Sequence, residues 1–144
     1  MTSPLKTVLV LCTGNSCRSQ MAEVLLNHDL AGQVRALSAG TRPQPKVAEN
    51  AIKALQLLDL PTDGLYPKDI DQLLDEPVDL VVTVCDNAKE TCPFFTGQVD
   101  HRLHMGFEDP AEATGTEEEI LLVFRKVRDQ IRKEFKGFLM SVEN

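Results

Sequence analysis

The clearest chemical feature of this chain is a short loop that begins with a cysteine and ends with an arginine. The stretch CTGNSCR, Cys12 to Arg18, places five small or polar residues between the thiol and the guanidinium. A tight loop of this kind can turn its backbone N–H groups inward to form an anion nest, and Gly14 permits unusual backbone angles. A guanidinium is a planar fork that suits a tetrahedral oxyanion. The pattern therefore predicts a thiolate nucleophile aimed at a phosphate-shaped anion.

The residues around this thiol have further expected roles. Ser19 begins a predicted helix, whose positive end should favour an anion, and its hydroxyl can donate a hydrogen bond to the Cys12 thiolate. We expect Cys17 to face away from the nest and to be chemically inert. The loop lacks the G-K-[ST] ending of a nucleotide-binding loop. The residues expected to surround the oxyanion are Thr13, Gly14, Asn15, Ser16, Cys17 and Arg18.

A reaction at a bound oxyanion also needs a general acid for the leaving group, and the stretch GFEDPAE offers one. Asp109 lies just past the last predicted strand, in a loop that Pro110 should make rigid. An Asp-Pro pair alone is an ordinary turn signal. Its place on the same sheet edge as Cys12 makes Asp109 the candidate acid.

Two further cysteines, Cys85 and Cys92, follow the strongest predicted strand. On a helix they would share a face about 10.5 Å apart, so a disulfide between them requires the segment to unwind or loop. One alternative is a zinc site, but spacers of four and six residues in the two cysteine pairs do not suit it. A second alternative is that both are small core residues. Redox activity together with Cys12 is the third interpretation.

Apolar periodicity defines the elements that must position these groups. The predicted strands are Thr7–Leu11, Val34–Ala39, Val78–Val84 and Gln98–Leu103. The predicted helices are Ser19–Asp29, Lys46–Leu58, Asp69–Asp75 and a long final helix that a capping box of Thr116 and Glu119 introduces.

Alternation of strands with helices predicts an α/β fold with three layers, a four-stranded parallel sheet and helices on both faces. The length suits a single domain over residues 1–144. Ligands of such folds bind beyond the carboxyl ends of the strands. Cys12 follows the first strand and Cys85 the third, so both thiols are predicted at the functional edge. If those two strands are neighbours, the thiols can come within disulfide range.

Composition excludes several classes of partner. The formal net charge of −7 argues against a nucleic-acid or anionic-membrane surface. The apolar run Val8 to Leu11 is too short for a signal peptide or a spanning helix, so a cytoplasmic location is expected. A monomer is also expected. Structural disulfides are rare in the reducing cytoplasm, which favours a metal, redox or core role for the four cysteines.

Over nearly its whole length the chain resembles the thioredoxin-coupled arsenate reductases, which share the low-molecular-weight protein tyrosine phosphatase fold. The matching stretches are CTGNSCRSQMAE at the first loop, SAG at Ser38 to Gly40, DLVVTVC ending at Cys85, the pair Cys92-Pro93, and GFEDPA. The first of these stretches is highly specific.

The resemblance implies a reaction in which Cys12 attacks arsenate held by Arg18 while Asp109 assists the loss of water or hydroxide. Cys85 then forms a disulfide with Cys12 and releases arsenite. Cys92 next forms a disulfide with Cys85, which thioredoxin reduces. Reduction by glutaredoxin with glutathione is the less favoured alternative to reduction by thioredoxin. No obligatory cofactor is implied.

The resemblance also implies a potassium ion that supports the loop. Its ligands would be Asn15, Glu23, Ser38 and Asp69.

Two alternative functions remain at this point. A phosphatase acting on aryl phosphates or protein phosphotyrosine would use Cys12, Arg18 and Asp109 alone, but it would want aromatic walls, and the chain has one tyrosine and no tryptophan. A weak phosphatase side activity is expected in either case, because arsenate and phosphate share shape and charge. A non-enzymatic arsenite or redox sensor would need a readout domain, for which the sequence offers no candidate.

Overall fold

The computed structural model describes residues 6–86 and 94–142. The strands are β1 (Lys6–Cys12), β2 (Val34–Gly40), β3 (Val78–Thr83) and β4 (Val99–His104). The helices are α1 (Arg18–Asp29), α2 (Glu49–Gln56) and α3 (Glu117–Val142), with short 3-10 helices at Ile70–Leu73 and Pro110–Glu112.

All four strands are parallel and lie in the order β2-β1-β3-β4. β1 is therefore central, with Val10 paired to Ser38 on one side and to Val82 on the other. This arrangement confirms the predicted parallel sheet. The strands that end at Cys12 and just before Cys85 are neighbours, so both cysteines lie at the same edge of the sheet.

The side chains of β1 alternate between two apolar clusters, as the period of a strand requires. Val8 and Val10 face the larger cluster, which includes residues of all three α-helices, among them Met21, Leu55 and Ile131. Leu9 and Leu11 face the opposite cluster, which is closed by the 3-10 helix through Ile70 and by Phe95. Burial on both faces explains why β1 is a continuous apolar run.

The starts of α3 and α2 show where local sequence signals were sufficient and where they were not. At the start of α3 the predicted capping box forms: the Thr116 N–H donates to Glu119 Oε1 over 3.1 Å, and the Glu119 N–H donates to Thr116 Oγ over 3.1 Å. α2 instead begins at Glu49, three residues later than predicted. Ala48 is extended (φ −61°, ψ 134°), and its N–H donates to the carbonyl of Ser16. The segment before α2 thus bonds to the cysteine loop rather than starting a helix.

No helix in the described part of the chain combines the length and the apolar character that crossing a membrane requires.

Candidate functional site

Cys12 is the last residue of β1, and its sulfur is held by groups from the loop and from α1. The Asn15 N–H donates to Cys12 Sγ over 3.2 Å, and Ser19 Oγ lies 2.8 Å from the same sulfur. Ser19 Oγ accepts a hydrogen bond from Asn15 Nδ2 over 2.7 Å, so its own hydrogen is available to the sulfur. Two donors therefore converge on Cys12, which is the environment that stabilises a thiolate.

Asn15 fixes the shape of this loop. Its φ of 50° lies in the left-handed region, which asparagine tolerates better than most residues, and it is fully buried. Its side-chain oxygen accepts hydrogen bonds from Gln20 Nε2 (3.1 Å) and from the Lys68 N–H (2.8 Å). The loop is thus held from behind by protein groups.

A segment that follows β2 forms the second wall of the loop. The N–H groups of Arg42, Gln44 and Ala48 donate to the carbonyls of Thr13, Gly14 and Ser16 respectively, over 2.9–3.0 Å. In each of these hydrogen bonds a carbonyl group of the loop is the acceptor.

Gly40 at the end of β2 makes this contact possible. A Cβ at this position would overlap the carbonyl oxygen of Thr13 and lie 2.9 Å from that of Cys12. The SAG stretch therefore ends in glycine because two backbones meet there, a role that its match to a family motif alone did not reveal.

Arg18 connects the loop to the candidate acid. Its side chain is 4% exposed; Nη1 donates to the Phe107 carbonyl over 3.1 Å, and Nη2 lies 3.7 Å from Asp109 Oδ2. The other oxygen of Asp109 accepts from the Ala111 N–H over 3.0 Å and caps the 3-10 helix that Pro110 begins. One carboxylate oxygen is thereby fixed to the backbone while the other faces the guanidinium.

These groups surround a cleft of about 760 Å³. None of the cleft residues that the structure describes is aromatic. Asn15 and Ser19 stand behind the loop, and the other residues predicted around the anion lie on the cleft wall. The lining residues are Cys12, Thr13, Gly14, Ser16, Cys17, Arg18, Arg42, Gln44, Pro45, Lys46, Ala48, Asp86, Asp109, Ala111 and Glu112.

Cys17 differs from Cys12 although both thiols belong to the same loop. Burial raises the pKa of the Cys17 thiol to about 12, despite a contact with Ser16 Oγ at 3.6 Å that acts in the opposite direction. A thiol with this pKa stays protonated at neutral pH and is a poor nucleophile. The raised pKa supports the prediction that Cys17 is inert, although Cys17 lines the cleft rather than facing away from it.

Cys85 lies two residues beyond β3 and is fully buried. The Val84 N–H donates to the Leu11 carbonyl, and the Phe107 N–H donates to the Val84 carbonyl. The backbone beside Cys85 is therefore bonded both to β1 just before Cys12 and to the loop that carries Asp109. Cys85 is disulfide-bonded, whereas Cys12 and Cys17 are free thiols. Cys92 lies outside the described residues.

The four potassium ligands that the resemblance implies are only partly brought together. Ser38 Oγ donates to Glu23 Oε1 over 3.0 Å, and Gly40 forms a backbone bridge with Asp69. The carboxylate of Asp69 instead caps the first 3-10 helix by accepting from the Asp71 N–H over 2.9 Å.

Glu23 moreover has a cationic partner in the protein itself. Lys68 Nζ lies 3.5 Å from Glu23 Oε1. With an ammonium group already in place, this arrangement does not fit a potassium ion. Sequence patterns contained no signal for Lys68.

Among the residues that the structure describes, no group of three or more histidine, cysteine, aspartate or glutamate side chains could hold a metal ion. The zinc alternative has no support from this part of the chain, where Cys85 is engaged in a disulfide.

Comparisons with known proteins agree with this geometry. Residues 7–144 match the family model described as low molecular weight phosphotyrosine protein phosphatase. An arsenate reductase of Halalkalibacterium halodurans is 44% identical over 133 residues, which is 92% of this chain and 94% of that protein.

Two solved structures are also similar. An arsenate reductase in its phosphate-binding state aligns with a TM-score of 0.79 at 26% identity, over 95% of this chain and 98% of the other. A thioredoxin-dependent arsenate reductase of Corynebacterium glutamicum aligns with a TM-score of 0.66 at 25% identity, over 98% of this chain and 65% of the other.

Proposed function

The chain belongs to the low molecular weight phosphotyrosine protein phosphatase family, and from this premise we propose that it is an arsenate reductase. The observation that carries the proposal is the pairing of two sulfur groups at one sheet edge. Cys12 lies in an anion loop, and Cys85, which is already in a disulfide, follows the neighbouring strand. A phosphatase needs the first thiol but has no use for the second.

Binding is the first step of the proposed reaction. The N–H groups of the loop, the guanidinium of Arg18 and the N-terminus of α1 provide positive potential at the wall of the cleft. The cleft wall adds the cationic side chains of Arg42 and Lys46. A tetrahedral oxyanion such as arsenate is the ligand that this arrangement suits.

In the second step the Cys12 thiolate attacks arsenic(V), so that an As–S bond forms and one oxygen leaves as water. Asp109 supplies the proton for that oxygen. Its position opposite Arg18 supports the role, because the guanidinium that binds the anion also fixes the acid beside it.

Reduction follows by thiol exchange. The Cys85 thiolate attacks Cys12 Sγ; an S–S bond forms, the As–S bond breaks, and its electron pair remains on arsenic, which leaves as arsenite. The Cys92 thiolate then attacks Cys85, and Cys12 departs as a thiolate. The final Cys85–Cys92 disulfide is reduced by a dithiol carrier, for which thioredoxin is proposed ahead of glutaredoxin with glutathione. The free Cys12 beside a disulfide-bonded Cys85 is the redox state expected at this stage.

A coupled assay tests this proposal. Arsenate-dependent oxidation of NADPH is followed with thioredoxin and its reductase, and separately with glutathione, glutaredoxin and glutathione reductase. Turnover should require arsenate and should be faster with thioredoxin. Absence of arsenate-dependent turnover with both systems would contradict the proposal.

Phosphatase activity is the second candidate function, and membership of the phosphatase family is the observation that favours it. Cys12, Arg18 and Asp109 suffice for slow hydrolysis of an aryl phosphate. The absence of aromatic side chains from the described wall of the cleft disfavours a phosphotyrosine substrate. We therefore propose hydrolysis as a weak side activity of a single-domain, monomeric, cytoplasmic enzyme that needs no obligatory cofactor.

A further inference from the structure

The side chain of Lys68 lies directly behind the anion loop. Lys68 Nζ is 3.5 Å from Glu23 Oε1, with the two side chains 12% and 14% exposed. The same ammonium donates to the Tyr66 carbonyl over 3.2 Å. The Glu23 oxygen that it faces also accepts a hydrogen bond from Ser38 Oγ. A positive charge thus lies between two protein oxygens in a partly buried place.

The residue that carries this cation is also connected to the nucleophile, through its backbone N–H and two further side chains. The Lys68 N–H donates to Asn15 Oδ1, Asn15 Nδ2 donates to Ser19 Oγ, and Ser19 Oγ lies 2.8 Å from Cys12 Sγ. The Gln20 amide donates to the Asn15 and Tyr66 carbonyls and thereby holds residue 66 against the loop. Movement of Lys68 would therefore move the group that holds the left-handed Asn15.

The charge of Lys68 offsets the negative charge of Glu23 behind the loop. Without a cation, the Glu23 carboxylate would stand unpaired behind a loop that must hold both a thiolate and an oxyanion, and like charges at short range are unfavourable. An alkylammonium group and a potassium ion carry the same charge and are similar in size. One can therefore replace the other beside the Glu23 carboxylate, which Lys68 Nζ reaches.

We propose that the ammonium group of Lys68 is a covalently attached replacement for a potassium ion, which makes the anion loop of this chain independent of that ion. Lys68 is thus a positioning residue: its ammonium group neutralises Glu23 behind the loop, its backbone N–H holds Asn15, and it does not touch the substrate. The inference concerns the support of the loop, so it stands whether the bound oxyanion is arsenate or phosphate.

The test begins with the unaltered protein. Thermal unfolding of the reduced chain is measured in potassium, sodium and lithium chloride at equal ionic strength. The three salts should give the same midpoint. A midpoint that is selectively raised by potassium in the unaltered protein would overturn the proposal without any variant being needed.

Substitution of Lys68 by methionine (Lys68→Met) then removes the charge but keeps most of the stem. The variant should gain a potassium-selective rise in unfolding midpoint. In lithium its kcat/KM for an aryl phosphate should fall about 10- to 100-fold, as is typical when a group orienting an active-site residue is lost. Potassium should restore most of that loss. A folded variant with a reduced rate that no alkali ion restores would contradict the proposal.

Two matched variants separate this role from a general loss of charge. Lys53→Met removes an exposed lysine of α2 and should leave both readouts unchanged. The double change Lys68→Met with Glu23→Gln removes the carboxylate as well, so the potassium response should disappear. A potassium response that persists in the double variant would place the ion elsewhere and overturn the assignment. The unfolding readout needs no arsenate, so this test fails independently of the proposed reductase activity.

Discussion

Arg18 Nη2 lies 3.7 Å from Asp109 Oδ2, so the group that is proposed to bind the oxyanion is also the neighbour of the proposed acid. The second oxygen of Asp109 is held by the Ala111 N–H. Because the two carboxylate oxygens have different partners, a substitution of Asp109 can remove the acid and still cap the 3-10 helix.

Asp109→Asn should lower the rate of arsenate reduction on the order of 10²-fold, within the range for loss of a general acid. Asparagine keeps an oxygen for the Ala111 N–H, so the unfolding midpoint should change little. Steady-state kinetics should show a smaller loss for an aryl phosphate with a good leaving group, because such a group departs without a proton. Equal losses for both substrates would argue against an acid role.

The proposed order of thiol exchange can be read from trapped disulfides. After one turnover with arsenate, Cys92→Ser should retain a Cys12–Cys85 disulfide, identified by thiol blocking and mass spectrometry. Cys85→Ser should lose arsenate reduction but keep slow hydrolysis of an aryl phosphate. Steady turnover of the Cys92→Ser protein with thioredoxin would refute the three-thiol sequence. Loss of both activities in Cys85→Ser would instead indicate a structural role for that residue.

Gly40→Ala should damage the loop through its backbone. The new methyl would overlap the Thr13 carbonyl, and accommodation should cost about 1–3 kcal/mol of unfolding free energy, as for other overpacked sites. Because the displaced atoms adjoin Cys12, kcat/KM should fall at least about tenfold. Gly137→Ala is the matched control: a Cβ there meets nothing within 4 Å. It should leave activity unchanged and stabilise α3 by somewhat less than about 1 kcal/mol. Equal behaviour of the two variants would disprove the steric argument.

The far end of α1 is joined to α3 by an ion pair whose effect depends on pH. Arg132 donates to both oxygens of Asp29 over 2.7–2.8 Å, and these bonds lower the pKa of the Asp29 carboxyl below its ordinary value. A carboxyl with a lowered folded-state pKa stabilises the protein above its unfolded-state pKa. That contribution is lost as the pH falls through the folded-state value.

Asp29→Asn should therefore lower the free energy of unfolding by about 1 kcal/mol at neutral pH, a modest value because Arg132 is 35% exposed. The difference from the unaltered protein should shrink below about pH 4. Denaturant unfolding across this range measures it, with Asp75→Asn at an exposed site as the control. A difference that stays constant down to strongly acidic pH would exclude the ion pair as its cause.

Much of this architecture could be predicted from local sequence because the signals were local. The apolar run before Cys12 predicted a strand that is buried on both faces, and β1 is such a strand. Thr116 and Glu119 predicted the capping box that precedes α3. Alternation of elements predicted Cys12 and Cys85 at the same edge of a parallel sheet, and the sheet order shows that the strands before them are neighbours.

Contacts between distant segments could not be predicted in the same way. The start of α2 was predicted too early because the Ala48 N–H bonds to the cysteine loop while Ala48 is extended, and periodicity does not register such bonds. No sequence pattern indicated a role for Lys68 either. Its pairing with Glu23 exists only after β2 brings Gly40 against the backbone of residue 68.

The left-handed turn at Asn15 has a consequence for how the enzyme distinguishes chemically similar anions. Because protein groups fix the loop from behind, its shape does not depend on which tetrahedral anion enters. Arsenate and phosphate agree in geometry and charge, so a rigid cradle should accept both, and cellular phosphate should act as a competitor. Discrimination then arises after binding: arsenic(V) readily accepts an electron pair from a thiol pair, whereas phosphorus(V) does not. Selectivity in this chain should thus arise at the redox step, where thiols can reduce arsenic(V) but not phosphorus(V), rather than at binding in the pocket.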